Sequence, residues 1–215
     1  VNDTAIASED TNKIELSDSD KVIEDNLQTS EENDELTLTD NDVLGADSAT
    51  YSDLDIEIRV SGKIKLTHKN YTYNDGANAI TITEDNKVID GNGAVIDMAE
   101  STIRAFNVSA SGVTIKNLTI KNANYNGTGG AIYFSSSGTV ENCNFINNSA
   151  DTNGGAVYFS STGNVTNCNF TDNHAKYSGA VRMSSGTVSN CNFINNSADS
   201  NGGAVYFSST VNVIN

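Results

Sequence analysis

The chain has 215 residues and a formal net charge of −16, with no Trp, no Pro and few aromatic residues. Residues 1–50 hold 15 of the 28 acidic side chains and two of the 12 basic ones, which leaves the rest of the chain with a net charge of only −3. This acidity disfavours nucleic acid as a partner, and no apolar stretch is long enough to insert into a membrane. Abundant Asn, Ser, Thr and Gly favour an extracellular β-solenoid over a compact α/β enzyme.

Residues 1–50 contain no sustained apolar period and include acidic runs such as residues 30–35. This composition predicts a disordered acidic leader that acts as a solvated spacer, with a calcium-binding or interaction tail as the functional alternative. Because the chain begins with Val and no apolar signal region follows, we expect the numbering to start after a removed signal peptide. Residues 211–215 end on an uncapped strand, so we expect a fragment of a longer protein.

Residues 51–125 are predicted to form the first coils of the solenoid. Alternation of apolar and polar residues predicts the opening strands at 55–60 and 63–66. Further strands are predicted at 79–82, 87–97, 103–108 and 112–122. These coils are expected to be irregular in length, because the sequence becomes strictly periodic only after Asn126.

From residue 126 to residue 215 one sequence recurs almost four times. The copies read GGAIYFSSSGTVENCNFINNSADTN (129–153), GGAVYFSSTGNVTNCNFTDNHAKY (154–177), SGAVRMSSGTVSNCNFINNSADSN (178–201) and GGAVYFSSTVNVIN (202–215). Each copy contains three short apolar bursts bounded by Ser, Gly or Asn, which indicates strands and turns and not helices. Three short strands in each repeat of about 23–25 residues predict an all-β fold, a right-handed parallel β-helix.

Equivalent residues of successive copies are expected to stack along the solenoid axis. The Asn before each Cys is expected to occupy a bend in the left-handed conformation, and these amides can form a hydrogen-bonded ladder. A second Asn file, Asn148, Asn173 and Asn196, is expected at the next corner, and the Gly-Gly pairs are expected to redirect the chain. The predicted structural ladders are Asn117, Asn142, Asn167, Asn190 and Asn215; Cys143, Cys168 and Cys191; and Phe145, Phe170 and Phe193.

The three cysteines are predicted to be buried thiols. They lack the C-x-x-C spacing of zinc or redox sites, and parallel strands in register align their Cβ vectors instead of opposing them. His68 and His174 are too far apart in the sequence for a zinc site. We therefore predict no metal and no cofactor.

Tyr133, Tyr158 and Tyr206 are predicted to stack on one face, with Arg182 in the equivalent position of the third copy. Stacked tyrosines beside Ser and Asn can hold a sugar or a protein partner, and an aromatic ladder that only stabilises the fold is an equal alternative. The alternation leaves open whether Tyr133 or Phe134 points inward.

Nine Asn-x-Ser/Thr sequons are present, and an exported protein can carry glycans on such sites. Loop positions such as Asn126 are the favoured acceptors, because Asn117 and Asn169 fall in or beside packed strands. The candidate acceptors are Asn70, Asn126, Asn147 and Asn195; the other sequons begin at Asn2, Asn107, Asn117, Asn164 and Asn169.

Two motifs recur in phase through the repeats. GGAI or GGAV stands at 129–132, 154–157 and 202–205, with SGAV at 178–181, and Phe-x-x-Asn stands at 145–148, 170–173 and 193–196. This pairing resembles the repeat of chlamydial polymorphic outer membrane proteins and of adhesin-like surface proteins of methanogenic archaea, and the acidic leader favours the archaeal lineage. The resemblance covers about residues 50–215. It implies a pectin-lyase-like β-helix on a secreted cell-surface protein, or one in the outer membrane if the bacterial lineage applies.

The resemblance implies an adhesin-like stalk that binds glycans or proteins of neighbouring cells through many weak contacts. One alternative is a polysaccharide lyase or hydrolase with its active site beyond residue 215, and another is a structural cell-envelope spacer. Such enzymes need clustered carboxylates, or an acid with Arg and calcium, beside long loops. The charged candidates here are expected to vary within a single coil, and we interpret them as surface substitutions or a local ion pair and predict no catalytic site. They are Asp172, His174, Lys176 and Arg182.

Overall fold

The computed structural model describes residues 47–74, 76–209 and 211–214. These residues form a parallel β-solenoid of about seven coils, as the repeat predicted. Most of the predicted acidic leader and Asn215 lie outside the described residues, but residues 48–50 of that segment form a strand.

The first elements are α1 (Tyr51–Ile58) and strands β1 (Ser48–Thr50), β2 (Lys63–Lys65), β3 (Asn70–Thr72), β4 (Ile80–Ile82), β5 (Val88–Asp90), β6 (Val95–Asp97), β7 (Phe106–Val108), β8 (Val113–Lys116), β9 (Thr119–Lys121) and β10 (Asn124–Tyr125). The later strands are β11 (Ile132–Phe134), β12 (Gly138–Glu141), β13 (Asn144–Ile146), β14 (Ser149–Asn153), β15 (Val157–Thr166), β16 (Asn169–Thr171), β17 (His174–Tyr177), β18 (Val181–Ser189), β19 (Asn192–Ile194), β20 (Ser197–Asn201), β21 (Val205–Phe207) and β22 (Val211–Ile214).

Each coil passes through up to four strand positions, which define four faces. Face 1 contains β4, β7, β11, β15, β18 and β21, and face 2 contains β2, β5, β8, β12 and β22 with the second halves of β15 and β18. Face 3 contains β1, β3, β6, β9, β13, β16 and β19, and the short face 4 contains β10, β14, β17 and β20.

All strand pairs are parallel, and each residue pairs with its equivalent one coil away. The number of residues between paired positions is smallest where Ser48 pairs with Asn70 and largest at pairs such as Val88 with Thr114. In the periodic region, Asn148 and its partner position Asn173 are 25 residues apart, and Asn173 and Asn196 are 23 residues apart. The early coils therefore vary more in length than the later ones, and both parts stack in one continuous register.

The predicted opening strand at residues 55–60 is wrong, because residues 51–58 form α1. Thr50 is the N-cap: its Oγ accepts from the backbone N of Asp53 at 3.2 Å, and the Asp53 carboxylate accepts from the backbone N of Thr50 at 2.7 Å. This reciprocal capping box starts a helix at the position where alternation alone suggested a strand.

Helix α1 covers the start of face 1. Tyr51, Leu54 and Ile58 lie on one helical stripe and are buried, whereas Ile56, which created the apparent alternation, is 66% exposed. The Tyr51 hydroxyl donates to the carbonyl of Ala105 and accepts from a backbone N–H of β4. Burial raises the pKa of Tyr51, so the hydroxyl stays a neutral donor. In the described part of the chain α1 is the only helix, and it is too short to cross a bilayer.

The interior is filled by files of apolar side chains with one member from each coil. On face 1, Phe134 stacks on Phe159 with ring centroids 4.4 Å apart. On face 3 the rings of Phe145, Phe170 and Phe193 stack at 5.0 Å intervals. Like stacks on like because parallel pairing in register places identical positions about 4.8 Å apart.

Left-handed residues form two files of bends. At the bend between face 2 and face 3, φ lies between 51° and 57°, and at the bend between face 3 and face 4 it lies between 53° and 58°. The first file is Asn117, Asn142, Asn167 and Asn190; the second is Asn122, Asn147, Asp172 and Asn195. Asn and Asp tolerate this conformation better than other residues with a Cβ.

After the last three of these second bends, the next residue is an Asn that forms an amide ladder with its neighbours, namely Asn148, Asn173 and Asn196. Asn173 Oδ1 accepts from the backbone N of Asn148 at 3.0 Å and from its Nδ2 at 3.1 Å. Asn173 Nδ2 donates to the carbonyl of Phe145 at 3.0 Å and to Asn196 Oδ1 at 2.9 Å. Asn148 and Asn173 are fully buried, and these bonds satisfy the Asn173 amide, as a buried polar group requires.

The two glycines before each face 1 strand have different roles. Gly154 has a φ of +63°, and Ser178 occupies the same slot with a φ of +68° and a buried Oγ that has no hydrogen-bond partner. Gly155 is needed for close approach, since a Cβ there would lie 2.1 Å from the carbonyl oxygen of Gly179 in the next coil. At the equivalent Gly203, the nearest atom to a Cβ would be 3.6 Å away.

We predict that Gly155→Ala lowers the free energy of unfolding by about 3 kcal/mol, because the methyl group must push two coils apart. Gly203→Ala is the matched control and should change stability by no more than about 0.5 kcal/mol. Urea denaturation followed by circular dichroism measures both. Equal losses in the two variants would contradict the close-packing role of Gly155.

Two carboxylates link the coil that contains β5 and β6 to the coil that contains β8 and β9. Asp90 accepts from Asn117 Nδ2 at 3.0 Å and lies 3.4 Å from Lys116 Nζ. Asp97 accepts from Asn122 Nδ2 at 2.9 Å and lies 2.9 Å from Lys121 Nζ. Burial alone would raise the pKa of each carboxyl group, but these hydrogen bonds and lysine charges outweigh it, and both pKa values are lowered.

A carboxyl group whose pKa is lower in the folded state stabilises the fold above its unfolded pKa of about 4 and loses that contribution as the pH falls through the folded pKa. We therefore predict that the double variant Asp90→Asn/Asp97→Asn loses less stability than the wild type between pH 5 and pH 2. Asp151→Asn, on exposed face 4, is the control and should keep the wild-type pH dependence. Urea midpoints across this pH range test the prediction, and parallel curves for all three proteins would refute it.

Candidate ligand-binding face

The outward residues of face 1 form one column in register. The column, here called the face 1 column, consists of Thr81, Asn107, Tyr133, Tyr158, Arg182 and Tyr206. Phe134 is fully buried and Tyr133 is half-buried on the outside, which answers the question that the alternation left open.

The tyrosines and Arg182 stack on one another. The rings of Tyr133 and Tyr158 are 5.5 Å apart and 8° from parallel. The Arg182 guanidinium carbon lies 5.8 Å from the centroid of Tyr158 and 4.8 Å from that of Tyr206, and Arg182 Nη1 donates to Asn153 Oδ1 at 2.5 Å. Arg182 therefore continues the stack as a planar cation between two rings.

This stacking decides what the column can offer to a ligand. Rings that face their neighbours present their edges and hydroxyl groups outward, so a sugar cannot lie flat on a ring within the column. The hydroxyl groups of Tyr133, Tyr158 and Tyr206 make no hydrogen bond to any described residue, although a tyrosine hydroxyl both donates and accepts. The column is therefore a polar strip whose hydrogen-bonding capacity is unused within the described chain.

Arg104 extends the stack at its start, and the motif analysis did not identify it. Its guanidinium carbon lies 4.0 Å from the centroid of Tyr125 on face 4 and 4.8 Å from that of Tyr133. The pairing of Phe106 with Ile132 aligns Arg104 with Gly130, the slot that holds Gly in every later copy. A large cation in a slot otherwise reserved for Gly was the available sequence signal.

The charged candidates do not lie in a single coil and do not converge, because Arg182 belongs to the coil after that of the other three. Asp172 is the left-handed corner residue of its coil, where the sister copies have Asn. His174 Nδ1 lies 3.0 Å from Ser197 Oγ on face 4, and Lys176 lies over the Tyr177 ring at 5.4 Å. Arg182 belongs to the face 1 column. Within the described ranges, no three His, Cys, Asp or Glu side chains are grouped to hold a metal ion.

The remaining site residues lie in the predicted files. Within the described residues of the Asn117 file, only Asn190 and Asn167 form an amide–amide hydrogen bond, at 3.2 Å. The longer amide ladder is the buried one formed by Asn148, Asn173 and Asn196. The thiols of Cys143, Cys168 and Cys191 are free.

Among the candidate sequons, Asn126 is exposed in the turn between β10 and β11, and its side chain makes no hydrogen bond to a described residue. Asn70, Asn147 and Asn195 are also exposed. The Asn147 amide donates to Asn122 Oδ1 at 2.9 Å and the Asn70 amide to the carbonyl of Asp47 at 3.2 Å. The sequon at Asn2 lies outside the described residues.

The sequence matches a family model described as a right handed beta helix region, over residues 31–215. No curated protein and no solved structure gives a significant match to the chain.

We predict that alkylation of the native protein by iodoacetamide is slow and modifies Cys191 first. Cys143 and Cys168 are fully buried, whereas Cys191 is half-buried. Hydrogen bonds between neighbouring thiols, together with burial, raise the pKa values of both Cys168 and Cys191, so reaction is slow and the exposure of each thiol decides the order. Peptide mass spectrometry over time measures the three rates, with urea-unfolded protein as the control. Equal native rates at Cys168 and Cys191, or a disulfide-linked peptide, would contradict this prediction.

Proposed function

We propose that this chain, which belongs to the right-handed β-helix family, is a cell-surface stalk that attaches to glycans or proteins of neighbouring cells through its face 1 column. The observation that carries the proposal is the row of three outward tyrosines whose hydroxyl groups make no hydrogen bond to any described residue. A purely structural aromatic ladder needs the rings but has no use for the hydroxyl groups. Phe134 and Phe159, directly beside the column on the inner side, form such a ladder without them.

The scaffold supports this role because it holds the column rigidly. The inner strands of face 1 pair with strands on both sides, and the two end strands, β4 and β21, pair on one side. The side chains of the column repeat at about 4.8 Å along the axis. Preorganised groups lose little entropy on binding, and a repeating row lets one extended ligand make several weak contacts at once. Attachment through many equivalent contacts is the behaviour that a surface adhesin needs.

The distribution of charge supports binding in preference to cleavage. A hydrolytic or eliminating site places acid and base groups around one scissile bond. The four charged candidates are instead divided among a corner, face 4 and face 1. The repeat motifs that resemble archaeal and chlamydial surface proteins, and the exposed sequon at Asn126, support a secreted, glycosylated protein at the cell surface.

We predict that the triple variant Tyr133→Phe/Tyr158→Phe/Tyr206→Phe loses about tenfold or more in binding, since each lost hydrogen bond weakens binding by about 1 kcal/mol. The rings and their stacking are kept, so the unfolding midpoint should stay near that of the wild type. Binding is measured on a glycan array and on intact microbial cells, beside an assay for released reducing ends or unsaturated sugars.

The control is Thr114→Val/Thr139→Val/Thr187→Val, which removes three hydroxyl groups from the outward column of face 2 and should bind as the wild type does. Loss of binding in the face 2 variant alone would move the site to face 2. Release of sugar products by the wild type would replace the adhesive function with an enzymatic one.

A further inference from the structure

We propose that Arg104 is the anchor of an oxyanion site, and that the ligand of the face 1 column is an acidic polysaccharide that carries carboxylate or sulfate groups. The identity of the polymer rests on the proposed function, whereas the oxyanion site at Arg104 stands on its own geometry.

Arg104 is a buried cation with no hydrogen-bond partner among the described residues. The residue is only 9% exposed, and its Nη1 is completely buried without a partner. None of its nitrogens donates to a described residue, and no carboxylate of the described chain pairs with it; its contacts are the rings of Tyr125 and Tyr133. A guanidinium has five N–H donors, and a native protein leaves so many unsatisfied only where a ligand or ordered water completes the site.

The two rings hold the guanidinium in the orientation that an oxyanion requires. Cation–π contacts use the faces of the planar group and leave its N–H donors pointing outward in the plane. Of its nitrogens only Nη1 is completely buried without a partner. Nε and Nη2 also have no partner in the described part of the chain, and because they are not completely buried they keep access to solvent. These two form the side-on edge that binds the two oxygens of a carboxylate, or two oxygens of a sulfate, in a bidentate manner.

A second unused donor lies in the same loop. Ser101, three residues before Arg104, has a buried Oγ that makes no hydrogen bond. Of the buried side-chain atoms without a partner in the described residues, two of three are in this loop, and the third is at Ser178. Polar groups left unsatisfied in the free protein are expected to gain partners from a ligand.

The charge of the column selects an anionic ligand. The chain carries a formal net charge of −16, yet the face 1 column and its extension contain two arginines and no acidic residue. Arg104 and Arg182 stand on either side of Tyr133 and Tyr158, and Tyr206 follows Arg182, so two cations alternate with the hydroxyl groups of the row. A polymer that alternates hydroxyl groups and negative charges along its length complements this row, and a neutral glycan does not.

The test begins with Arg104→Met in the whole chain, with Arg59→Met as the control, because Arg59 is an exposed residue at the C-terminal cap of α1. Without added anion, Arg104→Met should unfold at the wild-type urea concentration or above it, since the substitution removes an unsatisfied buried charge. Sodium sulfate should raise the thermal midpoints of the wild type and Arg59→Met more than that of Arg104→Met. A lower urea midpoint for Arg104→Met, together with an unchanged response to sulfate, would assign Arg104 a purely structural role and overturn the proposal.

The ligand class is tested by binding to polygalacturonate, dextran sulfate and neutral dextran at one ionic strength. We expect the wild type and Arg59→Met to bind at least one charged polymer, and Arg104→Met to bind it about tenfold or more weakly. Preference for polygalacturonate assigns the site to carboxylates, and preference for dextran sulfate assigns it to sulfates. Equal affinity for neutral dextran, or equal affinity of Arg104→Met, would overturn the acidic ligand.

The results distinguish failure of the acidic-polysaccharide proposal from failure of the proposed adhesive function. Binding of the wild type to cells or neutral glycans alone would keep the adhesive function and reject the acidic polysaccharide. Failure to bind any cell or polymer would reject the adhesive function, and the sulfate-dependent thermal shift would then decide the oxyanion site by itself.

Discussion

The backbone N–H and C=O groups of each coil find their partners in the coils on either side, and this parallel pairing is the constraint on which the rest of the structure depends. A single coil cannot pair its own backbone N–H and C=O groups, because its strands lie on different faces. These groups point along the solenoid axis and form their hydrogen bonds with the neighbouring coils. Register is therefore shared by all coils. A slip of one residue would turn every inward side chain outward.

Shared register turns each sequence position into a column of equivalent side chains, and a position is favourable only if its residue packs on copies of itself. Phe satisfies this condition by stacking rings, and Asn173 satisfies it because an amide accepts from one neighbour and donates to the next. Arg182 satisfies it between two tyrosines, where two arginines in succession would repel. Arg104, at the start of the tyrosine stack, has ring contacts on its faces but no partner for its donors among the described residues.

Much of the fold could be predicted from the sequence, because the same pattern of apolar, Asn and Gly positions recurs in each copy of the repeat. The inward positions of Cys143 and Phe145 follow from two-residue alternation, and the left-handed conformation of Asn142 follows from turn chemistry. Helix α1 was missed because residues 55–58 alternate, and the signal that overrides alternation is the cap formed by Thr50 and Asp53. Arg104 was missed because its loop precedes the periodic region, and only the observed pairing of β7 with β11 aligns it with the glycines.

Because successive copies such as 129–153 and 154–177 begin at equivalent glycines and end at equivalent corners, a whole copy is a modular unit of both sequence and structure. Unequal recombination between near-identical stretches adds or removes whole copies, and each exchange preserves the pairing of the coils that remain. The length of the solenoid, and with it the length of the face 1 column that we propose to bind a ligand, can thus change in single steps of about 4.8 Å without any new folding problem. Reach becomes a trait on which selection can act separately from affinity.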